Sequence, residues 1–219
     1  MQSLSVGNIC RGVGKCYDNA QEYLEEAKIL FREKHTRRAS ALAILGLEEV
    51  GKMEVLGSAA LLKVGDIKQW DQFWTNFTSH IAKQARGLFT SMDEIASRYG
   101  KRNLLDTLPV TVSGRDGANP MIDFETIKQQ CFYVGYDVAA GEFKLLKIDS
   151  EVCWKFITIL EAGLKKFRPL SNFGTCKKIV ERFKDEKYVE MANKNLQERK
   201  RALLQYLEQE GFPSPKTKI

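Results

Sequence analysis

Glu48, Glu49 and Lys52 stand together in the middle of the most apolar long stretch of the chain, Ala39 to Leu62. Ionised groups in such surroundings must find partners or reach a wet crevice. At about 100° per residue, Glu48 meets Lys52 at i, i+4 and Glu49 meets it at i, i+3 on a helix. Arg38 falls on the same side. Two roles fit this set: a buried salt-bridge network that fixes helix register, or a polar crevice that positions a phosphate or a proton donor. A second group follows downstream. His80 borders an aromatic face made by Trp70, Phe73 and Phe77, with Asn76 and Lys83 on its polar side. Histidine is the side chain that titrates closest to neutrality, so His80 is the candidate catalytic residue. Antiparallel packing of the two helices would turn His80 and Lys83 toward Glu48, Glu49 and Lys52. A histidine bonded within the core is the competing role. His35, in a turn with Lys34, Arg37 and Arg38, reads as solvated.

Other chemistry is less well supported. Gly46 to Lys52 spells G-x-x-x-x-G-K, but Met53 stands where a phosphate-binding loop needs a hydroxyl. The match also lies inside a helical pattern and follows no strand, so it is accidental. Its glycines are better explained as places where a neighbouring helix comes close. The five cysteines, Cys10, Cys16, Cys131, Cys153 and Cys176, form no C-x-x-C pair. They read as free thiols of a reducing cytoplasm rather than a disulfide framework. With two histidines in all, no metal site and no cofactor is expected.

The elements that must position these residues follow from periodicity. A stripe of Tyr17, Ala20, Leu24, Ala27, Leu30 and Phe31 predicts an amphipathic helix over 14–34, after a loose arm. Thr36 is a candidate cap for a central helix reaching Leu62, buried on most sides, with Gly65 as a stop and Asp66 as the next cap. A third helix is predicted over 66–89, and Ser91-x-x-Glu94 reads as a capping box opening another. Pro109, Gly114, Gly117 and Pro120 mark a long loop over 106–122. Asp123 caps a helix to Phe132. Residues 133–148 fit either a small β-hairpin, with Tyr133–Val138 and Phe143–Ile148 as strands, or an irregular insertion. Ser150 caps a helix ending at Arg168-Pro169. Charged helical sequence occupies 175–210. The expectation is one all-α domain over 1–219, with about five to seven helices and at most one hairpin. Its core is 14–105, followed by the 106–122 loop, the 123–168 segment and a basic segment over 169–219.

Charge is unevenly placed. Residues 1–160 hold 20 basic and 20 acidic side chains, whereas 161–219 hold 14 and 8. The net charge of +6 therefore lies wholly in the last part, which suits either a solvated helical face or an acidic partner such as RNA. No uninterrupted apolar run is long enough to span a bilayer, and the first residues lack the apolar core of a secretory signal. A cytoplasmic protein with no membrane partner is expected.

Asn19-Ala20, Leu24, Ala27, Leu30, Arg38-Ala39, Ala41-Leu42-Ala43, Glu48-Glu49-Val50-Gly51-Lys52 and Phe77-x-x-His80-x-x-Lys83 together resemble the AbiV family of bacterial abortive-infection proteins. The likeness covers about Gly14 to Gln84, and more loosely Gln129 to Tyr136. The pairing of Glu-Glu-x-Gly-Lys with His-x-x-Lys is its most specific part. The resemblance implies an HEPN-like helical bundle, a homodimer, acting in defence against bacteriophage by engaging RNA, the ribosome and translation apparatus, or a phage protein. Many HEPN proteins are metal-independent ribonucleases with an arginine four to six residues before a histidine. Here the interval before His80 reads WDQFWTNFTS, without arginine, which favours binding over cleavage. A structural helical adaptor is the third possibility.

Overall fold

The computed structural model describes residues 3–99, 124–137 and 141–183. Within them lie seven helices and two short strands: α1 (Val6–Arg32), α2 (Thr36–Ala59), α3 (Ile67–Thr78), α4 (His80–Tyr99), α5 (Phe124–Phe132), β1 (Gly135–Asp137), β2 (Glu142–Lys144), α6 (Ser150–Ser171) and α7 (Phe173–Arg182). The all-α expectation holds. The expected 106–122 loop, the Asp123 cap and the sequence beyond residue 183 lie outside the described residues. Among the described residues no helix is long and apolar enough to cross a membrane.

α2 is the axis of the bundle. It packs against α1, α3, α4, α5 and α6, and its buried positions run round its whole circumference, from Ala39, Ser40 and Ala41 through Glu48, Glu49 and Val50 to Ala59. Small residues allow this. A Cβ on Gly51 would collide with the Lys83 carbonyl of α4, and one on Gly87 of α4 would collide with the Leu47 carbonyl of α2. The two glycines thus sit on opposite sides of one crossing, where backbone meets backbone. Gly46 likewise faces the Leu160 side chain of α6. The G-x-x-x-x-G-K match is therefore a helix-packing device, lying wholly within α2.

Several expected boundaries are corrected. α1 starts at Val6, not near Gly14, with the Ser5 hydroxyl accepting from Asn8 N at 3.2 Å. Ile9, Cys10 and Val13 extend the buried stripe, which the intervening glycines obscured. Thr36 is not a side-chain cap: its Oγ1 donates to the Ile148 carbonyl at 2.6 Å, tying the start of α2 to the segment before α6. α2 ends at Ala59 rather than Leu62. The Gly65–Asp66 signal is realised, with Gly65 at φ +86° and Asp66 Oδ1 accepting from Gln69 N at 3.0 Å.

The predicted helix over 66–89 is two helices. Ser79 is extended, with ψ 120°, and its hydroxyl accepts from Ala82 N at 3.2 Å to cap α4. Thr75 and Thr78 donate back to the Asp71 and Trp74 carbonyls. Hydroxyl residues of this kind compete with the helical ladder, and three within five positions end α3. Ser91 opens no helix; it is buried inside α4 and donates to the Gly87 carbonyl at 2.8 Å. The hairpin does form, but with strands of three residues, paired Gly135↔Lys144 through Asp137↔Glu142. Asp149, not Ser150, caps α6, accepting from Val152 N at 2.8 Å. α6 then runs through Pro169 to Ser171. A proline this close to a helix end forfeits one ladder bond in the last turn, and buried Leu164 and Phe167 hold the helix in place.

Candidate polar site between the second, fourth and fifth helices

The break at Ser79 decides where the chemistry sits. Because α4 starts afresh at His80, its first turn lies over α2. The Gly51–Gly87 crossing draws the two backbones close enough for short reaches between side chains. Glu48 is the hub. Its side chain is 5% exposed, and Oε2 meets His80 Nδ1 at 2.7 Å. Oε1 accepts from Lys128 Nζ at 2.6 Å and from Gln84 Nε2 at 2.8 Å. The Lys83 ammonium stands 3.9 Å from Oε2. Glu125 of α5 forms the outer wall, with Oε2 accepting from Lys128 at 2.7 Å and from Gln84 at 3.0 Å.

These partners set the charge states. Burial alone would push the Glu48 carboxyl up, but the bonds from Lys128, His80 and Gln84 outweigh it and hold the group below its ordinary value. Burial also opposes ionisation of Glu125, yet bonds from Gln129, Lys128 and Gln84 bring it to about 2. Desolvation would lower Lys128, and the two carboxylates raise it instead. Lys83 is the exception: burial wins and lowers it, aided by the nearby charges of Lys52 and Lys128 and opposed by Glu48 and Glu49. Because Glu48 is an ionised acceptor with no proton to give, the short contact to His80 requires the proton on Nδ1. The other ring nitrogen is left for solvent or a ligand, on a side chain that is 56% exposed.

Glu49 belongs to a separate, smaller cluster toward α1. It accepts from Lys52 Nζ at 2.6 Å, and its charge acts on the buried Cys16 thiol of α1. Burial first, and Glu49 second, push that thiol up to about 12, so Cys16 stays protonated and is no nucleophile. Lys52 is raised, the pull of Glu49 exceeding its desolvation.

The structure brings Glu48, His80 and Lys83 together, and pairs Glu49 with Lys52. It does not bring in Arg38 or Asn76. Arg38 is exposed, and Arg37 is the arginine turned inward at that level. Asn76 stays on α3, accepting from Gln72 at 3.3 Å, because the break at Ser79 uncouples it from His80. Sequence reasoning missed Gln84, Glu125, Lys128 and Cys16. A signal existed for Lys128: with Phe124 and Cys131 it occupies the i, i+4, i+7 stripe of α5, and all three are buried. A lysine in a core stripe implies a buried anion.

Ligand atoms of Glu48, His80 and Glu125 lie within 4.8 Å of one another, a spacing that could hold a metal ion. The Lys128 ammonium already stands between the two carboxylates, so a cation would have to displace it. The donor set is better satisfied by lysine than by a metal. No curated protein and no solved structure matches this chain. The family model HEPN_AbiV, described as AbiV, matches residues 8–144, a span that includes every member of the polar centre. The chain belongs to the AbiV family of HEPN proteins, a membership that points to abortive-infection defence.

Proposed function

We propose that this protein blocks bacteriophage propagation by engaging RNA, free or in the translation apparatus, at the His80 edge of the polar centre. One observation carries this reading. His80 is largely exposed, yet Nδ1 is anchored on a carboxylate that is itself buried and bonded at both oxygens. A histidine serving only stability would not need a more exposed ring than its partner. The same anchoring supports a second reading, metal-independent cleavage. With the proton held on Nδ1, Nε2 is free to take a proton from a ribose 2′-hydroxyl.

A homodimer in the cytoplasm is part of the proposal. Ile81 and Phe89, 66% and 49% exposed, are apolar side chains of α4 that a second copy would cover, and sedimentation of the purified chain tests it. All five cysteines are free and buried, in keeping with a reducing compartment.

The decisive experiment compares wild type with His80→Ala. Phage plating on expressing cells should be restricted by wild type and restored by the variant. Purified wild type should retain labelled RNA in a filter assay in the presence of chelator, and cleavage under those conditions would select the second reading. A wild-type protein that restricts no phage and holds no RNA rejects the proposal. If phage is restricted but only a phage protein is captured, the RNA reading is rejected in favour of a protein partner.

A further inference from the structure

Glu48 and Glu125 are linked twice. The Lys128 ammonium bridges Glu48 Oε1 and Glu125 Oε2 at 2.6 and 2.7 Å, and the Gln84 amide bridges the same two oxygens at 2.8 and 3.0 Å. Lys128 is buried, on a helix whose Phe124, Ile127 and Cys131 are buried with it. The Phe124 ring meets the Phe156 ring of α6 edge-on at 5.7 Å, so the backbone that carries Lys128 is fixed from the far side. Two strong donors saturate Oε1. Oε2 is then the oxygen left for His80. A carboxylate held at only one oxygen can rotate about its terminal torsion, which has a broad profile. Held on Oε1 by a charge-assisted bond, it presents Oε2 at one place.

We propose that Lys128 is a positioning residue which, through Glu48, fixes the His80 ring with its proton on Nδ1 and with Nε2 open. α5 thereby completes the working edge of a site whose other residues all come from α2 and α4. The proposal rests on the reading of the His80 edge as the working site, but its test does not. The chain has two histidines, and His35, in an exposed turn, serves as an internal reference. In the full chain labelled with ¹⁵N-histidine, ring nitrogen shifts on the alkaline plateau report the tautomer.

Wild type should show His80 with Nδ1 protonated. Lys128→Met should lose that preference, with His35 unmoved, whereas Lys128→Arg should retain it. Should Lys128→Met fail to fold, Glu125→Gln serves instead. Its side chain is 29% exposed, the amide oxygen still accepts, and loosening Lys128 should shift the tautomer part of the way. An unchanged His80 tautomer in the folded Lys128→Met chain, or in Glu125→Gln where that chain does not fold, overturns the proposal. So does a loss of phage restriction in Lys128→Met without any tautomer change. A tautomer shift with phage restriction intact supports the positioning role and rejects His80 as the working group. By analogy with residues that orient ligating histidines, Lys128→Met should lower restriction by roughly tenfold to a hundredfold.

Discussion

Glu48 and Glu49 are adjacent carboxylates on one buried helix, both are paired with lysine, and they meet different worlds. Glu48 faces α4 and α5, and its partners are 32 to 80 residues away in sequence. Glu49 faces α1, and its lysine is three positions along the same helix. Lys52 keeps a quarter of its side chain exposed, whereas Lys83 and Lys128 keep about a twentieth. The Glu49 pair can lean into water if it is broken. The Glu48 cluster cannot, because its cations lie between helices. One step along the helix therefore separates a local pair from the knot that joins three helices and presents a histidine.

The largest effect should come from the crossing that makes the Glu48 side possible. Gly51→Ala places a methyl group against the Lys83 backbone carbonyl. Backbone cannot yield as a side chain can, so α4 must move away from α2 and take His80, Lys83 and Gln84 with it. We expect a loss of about 3 kcal/mol or more in urea unfolding. Gly57→Ala is the matched control on the same helix. Its Cβ would meet nothing within 4 Å, and alanine should stabilise by about 0.5–1 kcal/mol through helix propensity. Equal losses in both variants would mean that the crossing is not the constraint.

Next in size is the contrast between the two carboxylates. Glu48→Gln strips charge from an acceptor that serves Lys128, His80 and Gln84, leaving buried ammonium groups short of an anion; about 3 kcal/mol is expected. Glu49→Gln leaves Lys52 free to turn outward, and about 1 kcal/mol is expected. Combining each variant with Lys128→Met should reveal coupling for Glu48 and additivity for Glu49. Equal costs, or coupling at Glu49, would dissolve the distinction.

Acid probes the Glu48 side by another route. Glu48 and Glu125 are both held below their ordinary values, Glu125 at about 2. Below the ordinary carboxylate value of 4.5, the unfolded chain takes up protons that the folded chain refuses. The stability these groups contribute is thus fully present above that pH and is lost as pH falls toward 2. Denaturation midpoints measured across this window should fall for wild type, and fall less steeply for Glu125→Gln. A slope unaffected by that change would remove Glu125 from the charged ring.

The contrast also explains what could be read in advance. The i, i+3 pairing of Glu49 with Lys52 follows from helical geometry alone, as do the burial of α2 and the packing role of its glycines. His80 and Lys83 do meet Glu48, but through the break at Ser79 that starts α4 over α2, and not through one antiparallel helix over 66–89. Lys128 and Glu125 were hidden because nothing in helical periodicity says which helix a short segment, 25 residues further along the sequence than α4, will dock on. Arg38 and Asn76 were misplaced for local reasons. The first turn of α2 exposes one arginine and turns in its neighbour, and hydroxyl residues break the helix between Asn76 and His80. The second error arises where hydroxyl groups compete with the helical ladder, and not from apolar patterning.

The smallest effect on stability should come from the residue assigned the most important role. His80 is the most exposed member of the Glu48 cluster, and it supplies one of four groups around that carboxylate. His80→Ala leaves Oε2 near the Lys83 ammonium and open to water, so Glu48 remains solvated and Lys128 and Gln84 keep their bonds. We expect unfolding free energy to change by no more than about 1 kcal/mol, with phage restriction lost. Glu49→Gln should show the opposite pattern, a similar or larger loss of stability with restriction retained. The crossing of these two effects distinguishes a working edge from a structural knot. If both variants lost stability and restriction in the same proportion, the Glu48 side would be architecture alone.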